Sequence, residues 1–213
     1  MILYIGNRRY SSWSLRPALA AAASGLAVEE RVIGLDLPGT AAAIHAVNPA
    51  GRVPVLHDGA LVVHDSLAIC EYLHELAPDA GLWPRERAAR ARARSIVAEM
   101  HSGFAALRRD MPMDLIGRYP GVGHTDEALA DARRVQEVWR EARGRVAAGD
   151  GPFLFGGFGI ADAFFAPVVG RFVTYGVEVD AACRAYMDAV WAVPAFAAWR
   201  AAAALEEPLP EHR

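Results

Sequence analysis

Residues 48–73, "NPAGRVPVLHDGALVVHDSLAICEYL", decide how the rest of the chain is read. Two short apolar runs, 53–57 ("VPVLH") and 60–64 ("ALVVH"), are split by Asp58-Gly59. That dipeptide favours a tight hairpin, because glycine accepts the positive φ that such turns need. Asp65-Ser66 then opens an apolar-periodic segment, "LAICEYLHEL", and is first of all a helix cap: the side-chain oxygen satisfies an orphan N–H of the first turn. The same pair can also receive an α-amino acid group, its carboxylate at Ser66 and the helix N-terminus, its ammonium at Asp65. Pro54 opens the first run. Only about 5–6% of X-Pro bonds in folded proteins are cis, so the residues alone predict a trans strand-opener. A cis bond would instead turn the Val53 N–H and C=O outward as a strand edge.

Toward the N-terminus, Ile2–Ile5 reads as a strand, Ser14–Ser24 as a helix ended by Gly25, and Glu29–Leu35 as a second strand. After a turn at Pro38-Gly39, "TAAAIHAV" is a short helix stopped by Asn48-Pro49. Between the first strand and helix lies "RRYSSWSLRPAL", residues 8–19. Ser11 and Ser12 there have two readings. Serines before a helix cap it, contributing about 1 kcal/mol; a hydroxyl at a helix N-terminus can also face an anion, which the free N–H groups and the dipole favour. Arg8-Arg9 followed by alanines has a superficial likeness to a secretion signal. Arg16 and Pro17 interrupt it, flanking strands enclose it, and an amphipathic helix accounts for it as part of the fold.

Toward the C-terminus the character changes after "APDAGLWPRER". Strand signals give way to Ala, Arg, Leu and Glu at helical spacing, predicting helices at 86–110, 125–148, 160–174, 181–191 and 194–204. The chain divides into an α/β domain (1–77), a linker (78–85) and an all-helical domain (86–213). On the first helix, "EMHSGFAALRRDMPM" places His101, Ser102 and Arg108 among Met100, Phe104, Leu107 and Met111. This is either the solvated edge of a half-buried helix or, through His101 or Arg108, contact with a reacting electrophile. Trp191 and Trp199 read as core.

The composition excludes several classes. With 213 residues, 54% of them hydrophobic, the chain can bury a substantial core. A formal net charge of −3 provides no basic stripe for nucleic acid. No apolar run reaches the roughly 20 residues of a membrane span. Cys70 and Cys183 lack metal-ligand spacing and read as buried thiols in a reducing, cytoplasmic compartment, with no metal.

Taken together, the serines after strand one, "GRVPVL" at the third strand, and "DS" opening the third helix resemble the cytosolic glutathione transferases. The resemblance covers the whole chain. "FLFGGFGIADAFFAPV", residues 153–168, adds to it as that family's helix-start motif, with Asp162 in the first turn and Gly159 where Ser or Thr is usual. The family implies a thioredoxin-like βαβαββα domain followed by an all-α domain, with glutathione as co-substrate and a homodimer as the assembly. "SSWSLR" sits where other classes show "SSCSWR" or "CPFAER", which implies Ser11 as the group on the glutathione thiolate and Ser12 as its neighbour and substitute. Trp13 stands where the zeta pattern has Cys, and walls the site or packs on the helical domain. By the same resemblance, Val53 pairs its backbone with the cysteinyl unit beside a cis Pro54. Asp65 and Ser66 take the γ-glutamyl end, and Arg52 approaches the glycyl carboxylate or stays in solvent.

A serine suffices for that chemistry. Lowering a thiol pKa by two units takes about 2.7 kcal/mol; a charge-assisted hydrogen bond supplies roughly 1.5–3 kcal/mol, and a helix N-terminus about 0.3–1. No cysteine lies in the loop, which disfavours thiol–disulfide exchange. Three readings follow: a transferase adding glutathione to a small hydrophobic electrophile, an isomerase of the maleylacetoacetate type, or a non-catalytic binding module of the same fold.

Overall fold

The structure, a computed structural model, describes residues 1–147 and 150–209. The last residue of the helix predicted over 125–148 and residues 210–213 of the predicted helical domain lie outside the described residues.

The N-terminal part has the order read from the sequence: β1 (Ile2–Ile5), α1 (Ser12–Ser24), β2 (Glu29–Val32), α2 (Thr40–Val47), β3 (Val55–Asp58), β4 (Leu61–His64) and α3 (Ser66–Leu76). The sheet runs β2-β1-β3-β4, with β1 parallel to β2 and antiparallel to β3. Asp58 pairs with Leu61, so the hairpin turn is Gly59-Ala60, with Gly59 at φ 57°. β2 ends at Val32, not at Leu35 as predicted, because its partner β1 ends opposite it at Ile5. α1 begins earlier than predicted because Ser11, not a later residue, is its cap, and it ends at Gly25 in a left-handed turn.

The helical part comprises α4 (Arg87–Ser102), α5 (Ala105–Asp110), α6 (Asp126–Arg143), α7 (Ile160–Tyr175), α8 (Ala181–Trp191) and α9 (Pro194–Ala203). The helix predicted over 86–110 is two helices. Gly103 is extended and Phe104 takes φ 59°, turning the chain between α4 and α5. The Arg108 guanidinium donates to the carbonyls of Met100 and Gly103, closing the frayed end of α4 with a cation.

α7 is the axis of the core. It is buried along its length apart from Val173 and packs against α1, α4 and α8. Asp162 at its start accepts from the N–H groups of Leu154 and Gly159, both at 3.0 Å, so the carboxylate bonds the preceding loop as expected. Gly159 leaves room for the segment after α3: a Cβ there would lie 2.7 Å from the Leu82 carbonyl oxygen, which accepts from Ile160 N–H at 2.9 Å. Burial pushes the Asp162 carboxyl up to about 6. Both cysteines are free and buried. Among the described residues, no helix is long and apolar enough to cross a membrane, and no group of His, Cys, Asp and Glu side chains is arranged to hold a metal ion.

Candidate functional site

Two cavities meet at the start of α1. The larger, about 740 Å³, is lined by Trp13, Arg52, Val53, Pro54, Asp65, Ser66 and His101, with Leu35, Asn48 and His64 among its other walls. The smaller, about 350 Å³, is lined by Ser11, Ser12, Arg108 and Arg171, with Tyr10, Pro112 and Met113 beside them. Trp13, Leu35 and Val53 belong to both, so these side chains form the sill between them. Every candidate residue named from the sequence lines one cavity or the other.

The floor of the larger cavity is an exposed piece of backbone. The Val53–Pro54 bond is cis, against the base-rate expectation from the residues and in line with the family resemblance. Val53 precedes β3, and among the described residues neither its N–H nor its C=O has a backbone partner. Asn48, itself buried, braces the loop: its amide donates to the Arg52 carbonyl at 2.6 Å and its oxygen accepts from Ala50 N–H at 3.0 Å. Arg52 is exposed at the rim.

The far wall is the N-terminus of α3. Asp65 caps it with one carboxylate oxygen, accepting from Leu67 N–H at 2.7 Å. Its φ of 75° lies where side chains are rarely tolerated, a strain that positions the carboxylate over the cavity. The second oxygen is 3.3 Å from His101 Nε2. Ser66 is buried and, among the described residues, its hydroxyl has no partner, while the neighbouring N–H groups of Leu67 and Ala68 are taken up by the Asp65 carboxylate.

His101 therefore belongs with Asp65 in the larger cavity, apart from Arg108. Its ring stands edge-on to Trp13 at 5.4 Å. Burial lowers its pKa, and Arg16 and Arg108 push the same way against the pull of Asp65.

At the start of α1 the serines divide. Ser11 is the N-cap: its oxygen accepts from Ser14 N–H at 3.4 Å and lies 2.8 Å from Ser14 Oγ. Ser14 Oγ in turn accepts from Gly6 N–H at 3.0 Å. Among the described residues the Ser12 side chain makes no hydrogen bond, whereas the Ser11 hydroxyl is paired with Ser14, and both serines line the smaller cavity.

Sequence reasoning missed two arginines. Arg171 lies inside the apolar run of α7, fully buried, donating to the carbonyls of Met111 at 2.9 Å and Pro167 at 3.4 Å. Burial, reinforced by Arg108, lowers its pKa to about 9. Arg16 is buried between the rings of Trp13 and Phe164, 4.2 and 4.8 Å from their centroids, and among the described residues none of its guanidinium nitrogens has a hydrogen-bond partner. Burial holds its pKa well below the ordinary value, with Arg108 and Arg171 adding to the effect. A charge inside an otherwise apolar helix was the available signal for both. None of Arg16, Arg108 and Arg171 meets a carboxylate among the described residues.

Residues 10–76 match the family model described as the glutathione S-transferase N-terminal domain. A maleylacetoacetate isomerase of Pseudomonas aeruginosa is 32% identical over 92% of this chain and 93% of its own length. A probable maleylacetoacetate isomerase of Caenorhabditis elegans is also 32% identical, over 55% of this chain and 54% of that protein. The crystal structure of a Burkholderia glutathione transferase homolog with bound glutathione superposes with a TM-score of 0.70 at 25% identity, covering 97% of this chain and 98% of that one. The full-length relative, the domain match and the shared architecture together establish that the chain belongs to the glutathione transferase family.

Proposed function

We propose that the chain is a glutathione-dependent enzyme. In this reading it holds the tripeptide in the larger cavity and presents the sulfur across the Trp13–Val53 sill to an anionic, unsaturated electrophile in the smaller one. The juxtaposition of the two cavities carries the reading: one offers peptide-binding groups, the other two serine hydroxyls and two guanidiniums that meet no carboxylate among the described residues.

The residues present fit glutathione. Val53 supplies a free N–H and C=O at the edge of β3, the complement of an extended cysteinyl unit. The unpartnered Ser66 hydroxyl and the α3 N-terminus suit the γ-glutamyl carboxylate, and Asp65 suits its ammonium. Arg52 at the rim is placed for the glycyl carboxylate. The sulfur then falls at the sill, where Ser11 at the N-terminus of α1 donates to the thiolate and Ser12 stands beside it.

On the electrophile side, Arg108 and Arg171 favour a carboxylate-bearing substrate over a purely hydrophobic one. The thiolate adds to one carbon of a double bond conjugated to a carbonyl, forming the C–S bond as the π electrons move to the oxygen. A cation near that oxygen stabilises the enolate. If the enolate collapses by expelling the thiolate after rotation about the former double bond, the net reaction is cis–trans isomerisation and glutathione is regenerated. If carbon is protonated first, a thioether is the product. The arginine pair and the full-length isomerase relative favour the first outcome.

The test has two stages. Calorimetric titration with reduced glutathione should show saturable one-site binding. A cis-configured dioxo-alkenoic acid such as maleylacetoacetate should then isomerise with no net loss of thiol. Thiol consumed in step with substrate would make the enzyme a conjugating transferase; no glutathione binding by the folded protein would leave a binding module of the same fold. A homodimer, expected from the family resemblance, is checked by light scattering.

A further inference from the structure

The loop that carries Ser11 belongs to the N-terminal part of the chain, yet the helical part holds it. All four main-chain polar groups of Arg8 and Arg9 bond to residues of the helical part. Arg8 N–H donates to Glu206 Oε1 at 2.9 Å and Arg9 N–H to Glu206 Oε2 at 3.1 Å, so one carboxylate bridges two consecutive amides. Trp199 Nε1–H on α9 donates to the Arg8 carbonyl at 2.9 Å. Leu115 N–H, in the connection between α5 and α6, donates to the Arg9 carbonyl at 3.2 Å. The Arg8 guanidinium lies over the Trp199 ring, 5.4 Å from its centroid. Two residues later comes Ser11, whose own N–H donates to Asn7 O at 2.8 Å.

We infer that Glu206, in the segment after α9, and Trp199 are positioning residues for the Ser11 hydroxyl. Two consecutive N–H groups form a small anion-binding concavity, and a charge-assisted bond to each is stronger than a neutral one. Glu206 fills that concavity from the far end of the sequence. The Asn7–Ser11 turn is pinned on both of its peptide edges, and a shift there moves the serine oxygen relative to the Val53 edge. The larger cavity is lined by Val53, Asp65 and Ser66, and the side-chain hydrogen bonds of Glu206 and Trp199 go to Arg8 and Arg9 instead, so the peptide-binding groups do not depend on those bonds.

This inference rests on the glutathione reading, and its test separates the two. The probes are S-methylglutathione, which lacks an ionisable thiol, and reduced glutathione, whose bound thiolate is followed by ultraviolet absorbance against pH. The variants, in the full chain, are Glu206→Ala and the conservative Trp199→Phe, which keeps an aromatic ring and removes the N–H donor. Both should bind S-methylglutathione as the unaltered protein does. In both, the midpoint of thiolate formation should move up by about one pH unit, with kcat falling about tenfold or more. An unchanged midpoint in both variants would overturn the inference while leaving the functional reading intact. So would parallel loss of S-methylglutathione affinity, which would make the two residues general supports of the fold. Failure of the unaltered protein to bind S-methylglutathione would remove the functional reading and the inference with it.

Discussion

The hydroxyls of Ser11 and Ser14 lie 2.8 Å apart, and Gly6 N–H donates to the Ser14 oxygen at 3.0 Å. Each hydroxyl has one proton, so either can serve as donor in the pair. When Ser11 turns its proton to a thiolate, Ser14 can donate to Ser11 in its place and the pair is kept. The cap and the thiolate donor are therefore compatible roles for one residue. Ser11→Ala should lose about 1 kcal/mol of stability as a cap and raise the bound thiol's pKa by about one to two units. Ser12→Ala should change neither by as much. Denaturant melts and thiol titration of the two variants decide which serine serves the sulfur; the larger pKa effect in Ser12→Ala would transfer the role.

The Arg9–Asp114 pair predicts an acid limb of stability. Asp114 is buried, which disfavours its charge. Two contacts from Arg9 at 2.7 and 2.9 Å, the N–H groups of Ile116 and Gly117, and the Tyr119 hydroxyl outweigh that and bring its pKa to about 2. The folded pKa lies below the unfolded value of about 3.9. The stabilisation is then complete above about pH 4 and fades as pH falls toward 2. Asp114→Asn should be less stable than the unaltered protein at neutral pH, with the gap narrowing on acidification through that window. A gap independent of pH would mean that packing, not charge, is lost.

The motifs that named the site were legible because they are local. "GRVPVL", "DS" and "SSWS" each place donors and acceptors through the turn or cap they themselves form, and all reach the two cavities. Residues that depend on tertiary contact were not legible. Arg171 falls inside the helix predicted over 160–174 with nothing local to single it out, and Arg9, Asp114 and Glu206 come together only across more than a hundred residues of chain. The break between α4 and α5 was hidden for the same reason. Phe104 at positive φ has no local signature, and the side chain that compensates for the break, Arg108, reaches back from the next helix. That break also explains why His101 and Arg108, read as one face, serve different cavities.

Arg16 predicts a stability gain on substitution. A guanidinium buried between Trp13 and Phe164 without a hydrogen-bond acceptor carries a desolvation cost that ring stacking offsets only in part. Arg16→Met retains length and apolar contact and should raise the melting midpoint, by about 1 kcal/mol or more in stability. It should also weaken binding of glutathione, because one of three clustered positive charges beside the cavities is removed. A less stable Arg16→Met would show that stacking exceeds the desolvation cost.

Ser66 gives the sharpest separation of folding from binding. Its hydroxyl is buried, unpartnered and set at the start of α3. Removing an unsatisfied buried hydroxyl is neutral or stabilising for the free chain, whereas a hydroxyl bonded to a bound carboxylate contributes roughly 1.5–3 kcal/mol to the complex. Ser66→Ala should therefore melt at or above the temperature of the unaltered protein and bind glutathione roughly tenfold or more weakly. The opposite signs matter, because a residue kept for packing alone would lose stability and leave affinity untouched. If Ser66→Ala binds glutathione normally, the γ-glutamyl carboxylate lies elsewhere in the cavity, away from the start of α3.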